Sequence, residues 1–341
     1  MRQAIYRLVV DGVDLSPRVN HRLVSLSLTE KRGADADELS LDLSDADGRL
    51  AIPPKGALIR LAIGWRDVET GQIADMVDKG VFKVDERQHQ GSPDRLSIRA
   101  RSADLTGAFR RRRSKSWSET TLGDVLRDVA ERNSLTAVVD PATAARALPF
   151  LAQDRESDAA LLARLGRRFD CVSTIKGGRL LFGPPARGVT PGGRAIDRVT
   201  LTRRAGDNHS WSQTERDAYS GVVAKWRDRA GATTREVTVG TDDNARTLGR
   251  TYASEAAARS AAEAEMKKVK RGEAEFSLDL ANGDPAIGPE TPVTVSGFKP
   301  EIDAMDWVVA EAVHAIDGQS GLTTKIKCDK GASESDAATG T

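Results

Sequence analysis

Glu38-Leu39-Ser40-Leu41-Asp42-Leu43 alternates apolar with polar residues at the period of two that places one face of a strand in a core. The pattern returns near the other end of the chain as Glu275-Phe276-Ser277-Leu278-Asp279-Leu280. The match continues outward from both copies. Asp47-Gly48 and Ala51-Ile52-Pro53-Pro54 follow the first, Asn282-Gly283 and Ala286-Ile287-Gly288-Pro289 the second, and both are turn chemistry. New strand signals then begin, Leu58-Ile59-Arg60-Leu61 and Val293-Thr294-Val295, reaching Gly64 and Gly297. Phe82, Val84, Glu86 and His89 keep the spacing of Trp307, Val309, Glu311 and His314, and Leu96-Ser97-Ile98 and Leu322-Thr323-Thr324 close the copies. The chain is therefore expected to contain two copies of one antiparallel β module.

Between the copies the periodicity changes. Leu122, Val125, Leu126 and Val129 have helical spacing, predicting a helix over 121–133 capped by Thr120 or Thr121. A second helix is predicted from Ser157, with Asp158 in its first turn and Leu161, Leu162, Leu165 and Phe169 on its apolar face. Cys171–Ile175, Gly177-Gly178 and Arg179–Phe182 read as a hairpin. The expected organisation is a first β module at 1–111, an α+β domain at 112–185 and a second β module at 186–330. A linker over 183–193, strands at 199–201, 222–226 and 236–239, and a helix at 254–271 without counterpart in the first copy complete the pattern. Residues 331–341 are small and polar and read as a flexible tail.

The 341 residues carry 51 basic and 50 acidic side chains, a net charge of +1, which argues against a general polyanion binder. Aromatics make up only 4%, so base-stacking platforms are not indicated. No apolar run is long enough to span a bilayer, and Leu8–Val10 is too short for a secretion signal, so a chain made and folded in the cytosol with no stable membrane anchor is expected. Cys171 and Cys328 are far apart in the chain without metal-binding spacing and read as structural thiols.

Catalytic signatures are missing. His21, His89, His209 and His314 lack paired ligand spacing, and neither a nucleophile elbow nor a phosphate-binding loop occurs, so no catalytic, cofactor or metal residue is assigned. His89 and His314 hold matching places and read as structural. The one charge run is Arg110-Arg111-Arg112-Arg113, reinforced in sequence by Arg99, Arg101 and Lys115. It reads first as a face for a partner subunit and second as a contact to nucleic-acid phosphates. The tryptophans Trp65, Trp117, Trp211, Trp226 and Trp307 read as core or interface anchors, and Trp117 fits a strand poorly.

In this order and spacing, several stretches resemble the late control D family, the baseplate tail hub of contractile-tailed phages, and the N-terminal hub part of VgrG proteins of type VI secretion. They are Val81–Glu86 with Leu96–Asp104, Gln153–Arg168 with its Glu156-Ser157-Asp158 and Arg164-Leu165, Lys176–Phe182, Thr251–Ser254 and Val295–Pro300. Leu161-Leu162 departs from the aromatic-leucine pair usual in the family. The resemblance implies two tube-like antiparallel β-barrel modules flanking the α+β domain. It also implies a homotrimer in which six similar modules form a pseudo-sixfold ring between a sixfold tail tube and a threefold spike. A separate spike protein, tail tube and other baseplate proteins and a tape-measure protein would be partners, with DNA only as passing cargo. No cofactor is implied, and the protein would sit in a virion baseplate or phage-derived particle. The alternatives are a tail-associated peptidoglycan hydrolase, for which no site is offered, and a late-gene regulatory DNA-binding protein, for which no helix-turn-helix arrangement is present.

Overall fold

The computed structural model describes residues 2–33, 36–102, 109–214, 219–228 and 231–331. The expected tail beyond Gly331 and the Ala103-Asp104 pair lie outside them. The fold is mainly β, with an α+β unit between the two repeats. The first repeat comprises β1 (Arg2–Val10), β2 (Val13–Asp14), the one-turn helix α1 (Ser16–Val19), β3 (Leu23–Lys31), β4 (Glu38–Ser44), β5 (Leu58–Asp67), β6 (Ile73–Gln90) and β7 (Arg95–Ser102). In β4 the alternation of the sequence is the alternation of burial: Leu39, Leu41 and Leu43 are in the core while Asp42 takes hydrogen bonds from the hydroxyls of Ser97 (2.6 Å) and Ser25 (2.9 Å) on the other face. Each of these leucines contributes about 1.5–3 kcal/mol of burial, which fixes the register, since a one-residue slip would expose all three.

The middle unit contains β8 (Arg112–Thr121), α2 (Leu122–Glu131), β9 (Thr136–Val139), α3 (Pro141–Ala144), β10 (Ala147–Ser157), α4 (Asp158–Phe169), β11 (Val172–Lys176) and β12 (Arg179–Gly183). Both predicted helices form behind the predicted caps. Thr121 and Asp124 make a reciprocal capping box for α2, and the Ser157 hydroxyl accepts from the Ala160 amide at the start of α4. Trp117, hard to place from sequence, lies in β8 opposite Leu151 with its indole N–H donating to Asp128 (3.1 Å). The helices pack with β8, β10 and the β9-β12-β11 sheet around one core that includes Leu126, Leu161, Leu165 and Phe182.

The second repeat is β13 (Val199–Thr202), a 3-10 turn, β14 (Gly206–Gln213), then β18 (Ala274–Leu280), β19 (Pro292–Ser296), α6 (Pro300–Asp303), β20 (Trp307–Asp317) and β21 (Gly321–Lys330). Between β14 and β18 the chain leaves the repeat to form β15 (Gly221–Asp228), β16 (Thr233–Gly240), β17 (Ala245–Tyr252) and α5 (Glu255–Arg271). These make a separate β16-β15-β17 sheet covered by α5, whose buried Ala258 and Ala262 meet Val222 and Ala224. Small side chains on α5 let the helix lie close to the sheet. The strand signals at 222–226 and 236–239 thus belong to this small layer and not to the repeat.

The duplication is exact in strand order. The first repeat runs β3-β4-β7-β6-β5-β1 and the second β14-β18-β21-β20-β19-β13. Even the irregularity is shared, a bulge between Val84 and Glu86 in β6 and between Val309 and Glu311 in β20. One pairing differs in sense: β1 is antiparallel to β5, whereas β13 is parallel to β19. The repeats are joined edge to edge by β3 and β20, giving one 13-stranded sheet that runs across both.

Candidate assembly interface

At the junction, β20 lies antiparallel to β3 from Glu311 opposite Lys31 to Asp317 opposite Ser25. Ile316 and Leu322 of the second repeat enter the first repeat's core beside Leu26 and Leu28, so the cores meet under the shared sheet. On the polar side Arg32 pairs with Glu290 and Asp329 and donates to the Val309 carbonyl (3.2 Å), and the Trp65 indole donates to the Gly283 carbonyl (2.9 Å). These contacts tie the first repeat to the second through groups far apart in sequence.

A charged cluster is enclosed at the same junction. Lys79 of β6 lies 2.5 Å from Glu30 of β3, and His314 of β20 presents Nε2 to Glu30 (3.2 Å) and to the Ile287 carbonyl (3.0 Å). The Lys79 ammonium stands 3.1 Å from the same Nε2, and Nδ1 lies 2.9 Å from the Thr324 hydroxyl. Lys176 of the middle unit stands 3.6 Å from Glu30 and 3.5 Å from Asp37. Burial opposes the charge of Glu30, but the hydrogen bond from His314 and the ammonium groups of Lys79 and Lys176 outweigh it and hold the carboxyl at about 2. Burial and the Lys79 charge push the His314 imidazole below its ordinary value, and burial raises Asp37. The cluster therefore joins the first repeat to the second by the buried contacts of Glu30 with Lys79 and His314, and reaches the middle unit through the more exposed Lys176. Sequence spacing marked His314 as structural but gave no sign of Glu30 or Lys79, because these three residues meet only through the β3–β20 pairing.

The arginine run divides. Arg110, Arg111 and Arg112 are exposed and have no ion pair among the described residues, while Arg113 turns toward fully buried Asp158, 3.7 Å away. Asp158 also receives Arg132 (3.1 Å), Asn133 (2.8 Å) and Gln153 (2.9 Å), so Arg113 belongs to a network that holds α4 on β8. The neighbours that extend the run in sequence are each already paired. Arg99 pairs with Glu86, Arg101 with Glu38 and Asp85, and Lys115 with Asp128. What remains is three exposed guanidinium groups in succession along the chain. Arg112 borders a shallow depression shared with Arg155 and with Arg164, itself paired to Glu156 (2.7 Å). Among the described residues no cluster of His, Cys, Asp and Glu suited to a metal ion occurs, and no helix is long and apolar enough to cross a membrane. Burial raises both Cys171 and Cys328 to about 12, leaving them as protonated thiols.

The junction is thus a duplicated sheet joined edge to edge, with buried charges at the joint. Comparison with known proteins gives the class. Residues 38–320 match the family of the phage tail baseplate hub (GPD). The chain is 38% identical to the probable baseplate hub protein of Escherichia phage P2, with 95% of this chain and 92% of that protein aligned. The fold is shared with the tail protein from Neisseria meningitidis MC58 at 12% identity and a TM-score of 0.68, over 96% of each chain. It is also shared with the Escherichia coli c3393 protein, a component of the type VI secretion system, at 11% identity and a TM-score of 0.56, over 92% of this chain and 74% of that one. The chain belongs to the phage tail baseplate hub family.

Proposed function

We propose that this hub acts without catalysis, as a homotrimer that matches a sixfold tail tube to a threefold spike in the baseplate of a virion or phage-derived particle. The observation that carries this is the repeat itself: two modules of one strand order, joined side by side in one sheet. Three such chains present six similar units around an axis while remaining threefold, which a chain with one module could not do. In this reading the tube and other baseplate proteins meet the near-sixfold surface, the spike meets the threefold one, and the tape-measure protein and then DNA pass through the ring. The exposed Arg110, Arg111 and Arg112 form a face for an acidic surface on one of these protein partners.

The mass of the purified protein in solution, alone and with the spike protein of the same particle, tests the reading. Three copies of a 36.7 kDa chain give about 110 kDa, and this species is expected alone or once spike is added. A monomer in both samples, together with a baseplate containing other than three copies, would overturn it.

A further inference from the structure

In the middle unit, β8 and β10 form a ribbon that pairs with no other strand among the described residues. The ribbon buries one side only. Phe150 stands opposite Ser118 and Ala152 opposite Ser116, and all four are exposed, while Leu151 and Gln153, which alternate with them along β10, are buried. The Phe150 ring is 63% exposed, more than any other large apolar side chain among the described residues. It adds little to the core beneath the ribbon, and a bare aromatic beside a run of cations is a feature of a contact surface.

Past Ala152 the strand bulges. Gln153 pairs with Lys115 and Glu156 with Arg113, so Asp154 and Arg155 stand together against Ser114. Arg155 takes a left-handed φ of 46°, and its amide donates to the Ser114 hydroxyl (3.1 Å), which fixes the bulge. The depression that begins at Ala152 is lined by Arg155, by Arg112 from the start of β8 and by Arg164 of α4. Arg164 is held in place by Glu156 (2.7 Å) and the Ala152 carbonyl (2.9 Å). Arg112 and Arg155 are exposed and pair with no carboxylate among the described residues. Three guanidinium groups thus face the carboxylates of Asp154 and Glu156, and the positive surplus is extended along the chain by Arg110 and Arg111.

We propose that this surface takes an extended acidic segment of a partner protein, with an apolar side chain of the segment on Phe150 and Ala152 and its carboxylates on Arg112 and Arg155. The charges select a peptide over a nucleic acid. A phosphate backbone is negative at every step and would meet Asp154 and Glu156 as well as the arginines, whereas a peptide can place its carboxylates on the arginines alone. The apolar ledge points the same way, because Phe150 has serines around it and no second aromatic with which to sandwich a base. The surface rests on the assembly reading above, in which Arg112 faces an acidic partner, and it adds the form of the segment that is bound.

Photocrosslinking inside assembled particles tests the contact. With benzoylphenylalanine in place of Phe150, irradiation should join the hub to one segment of another particle protein, and that segment should carry acidic residues beside an apolar one. A crosslink to DNA, a crosslink to a segment without acidic residues, or no crosslink would overturn the proposal. A probe in solution gives the charge dependence: a fluorescent peptide with a run of glutamates behind a leucine should bind the purified chain. Arg112→Glu with Arg155→Glu should weaken that binding about tenfold and leave the melting curve unchanged, since neither side chain is paired in the fold. Equal binding by both proteins, or tighter binding of a single-stranded oligonucleotide than of the peptide, would also overturn it. A trimer in which position 150 stays without a crosslink would refute this surface and leave the hub reading standing, whereas a crosslinked hub in other than three copies would do the reverse.

Discussion

Removing the charge of Glu30 should loosen the joint between the repeats. The substitution Glu30→Gln keeps the shape of the side chain but leaves Lys79 and His314, both enclosed, without their carboxylate. Holding a carboxyl at about 2 instead of the ordinary 4.5 corresponds to roughly 3 kcal/mol in favour of the charged form in the fold. Breaking a buried ion pair from one side costs about 3–5 kcal/mol in general, the same scale. At about 2 cal/mol/K of unfolding entropy per residue, that loss lowers Tm by roughly 4 °C for the chain melting as one unit, and by more where the joint opens first. Calorimetry and urea unfolding of the two proteins at pH 7 measure it. The pH dependence provides the internal check. Because the folded-state value is depressed, the contribution of Glu30 is complete above about 4.5 and lost as pH falls through about 2. The gap between wild type and variant should therefore close over that interval. A loss below about 1 kcal/mol at pH 7, or a gap unchanged down to pH 3, would refute the assignment of the cluster as the clasp of the joint.

The buried imidazole of His314, held below its ordinary value, makes the wild-type protein lose stability as pH falls below about 6.5, and His314→Gln should flatten that limb in a pH series of melts. Reversing the charge of Arg111 and Arg112 should lower particle yield in a complementation assay while leaving the melting curve of the isolated protein unchanged, whereas Arg113→Ala should destabilise it, since it strips a partner from buried Asp158. Ser157→Ala should cost about 1 kcal/mol in urea unfolding through loss of the α4 cap. Phe276→Ala should cost about 3–5 kcal/mol by the same measurement, because the ring is buried against Trp307 and Phe298.

Much of the architecture was legible in the residues because it rests on local patterns. The period-two alternation in β4 and β18, the turn dipeptides after them and the constant spacing from Phe82 to His89 and from Trp307 to His314 are enough to show that one β unit occurs twice. The caps at Thr121, Ser157 and Ser254 set the helix starts, since a hydroxyl placed before an apolar periodic run satisfies amides that the helix itself leaves free. Where the side chains of the arginine run turn was only partly legible. A run of like charges in sequence says nothing about where each side chain turns, and Arg113 turns inward because Asp158, brought over by α4, is buried and needs a cation.

Tertiary structure alone decided how the repeats relate. Nothing local states that β3 meets β20, because strand edges are made of backbone groups that every residue carries, and the choice of partner depends on which sheets the intervening chain brings side by side. That pairing in turn brings Glu30, Lys79 and His314 from separate segments into one enclosed cluster with Lys176 at its rim, and among the described residues it leaves an edge of β6 and the outer edge of β14 without a partner strand. The sequence determined that there are two modules; the fold determined which of their edges pair within the chain, because every strand edge carries the same backbone donors and acceptors and only the packing of the sheets selects among them.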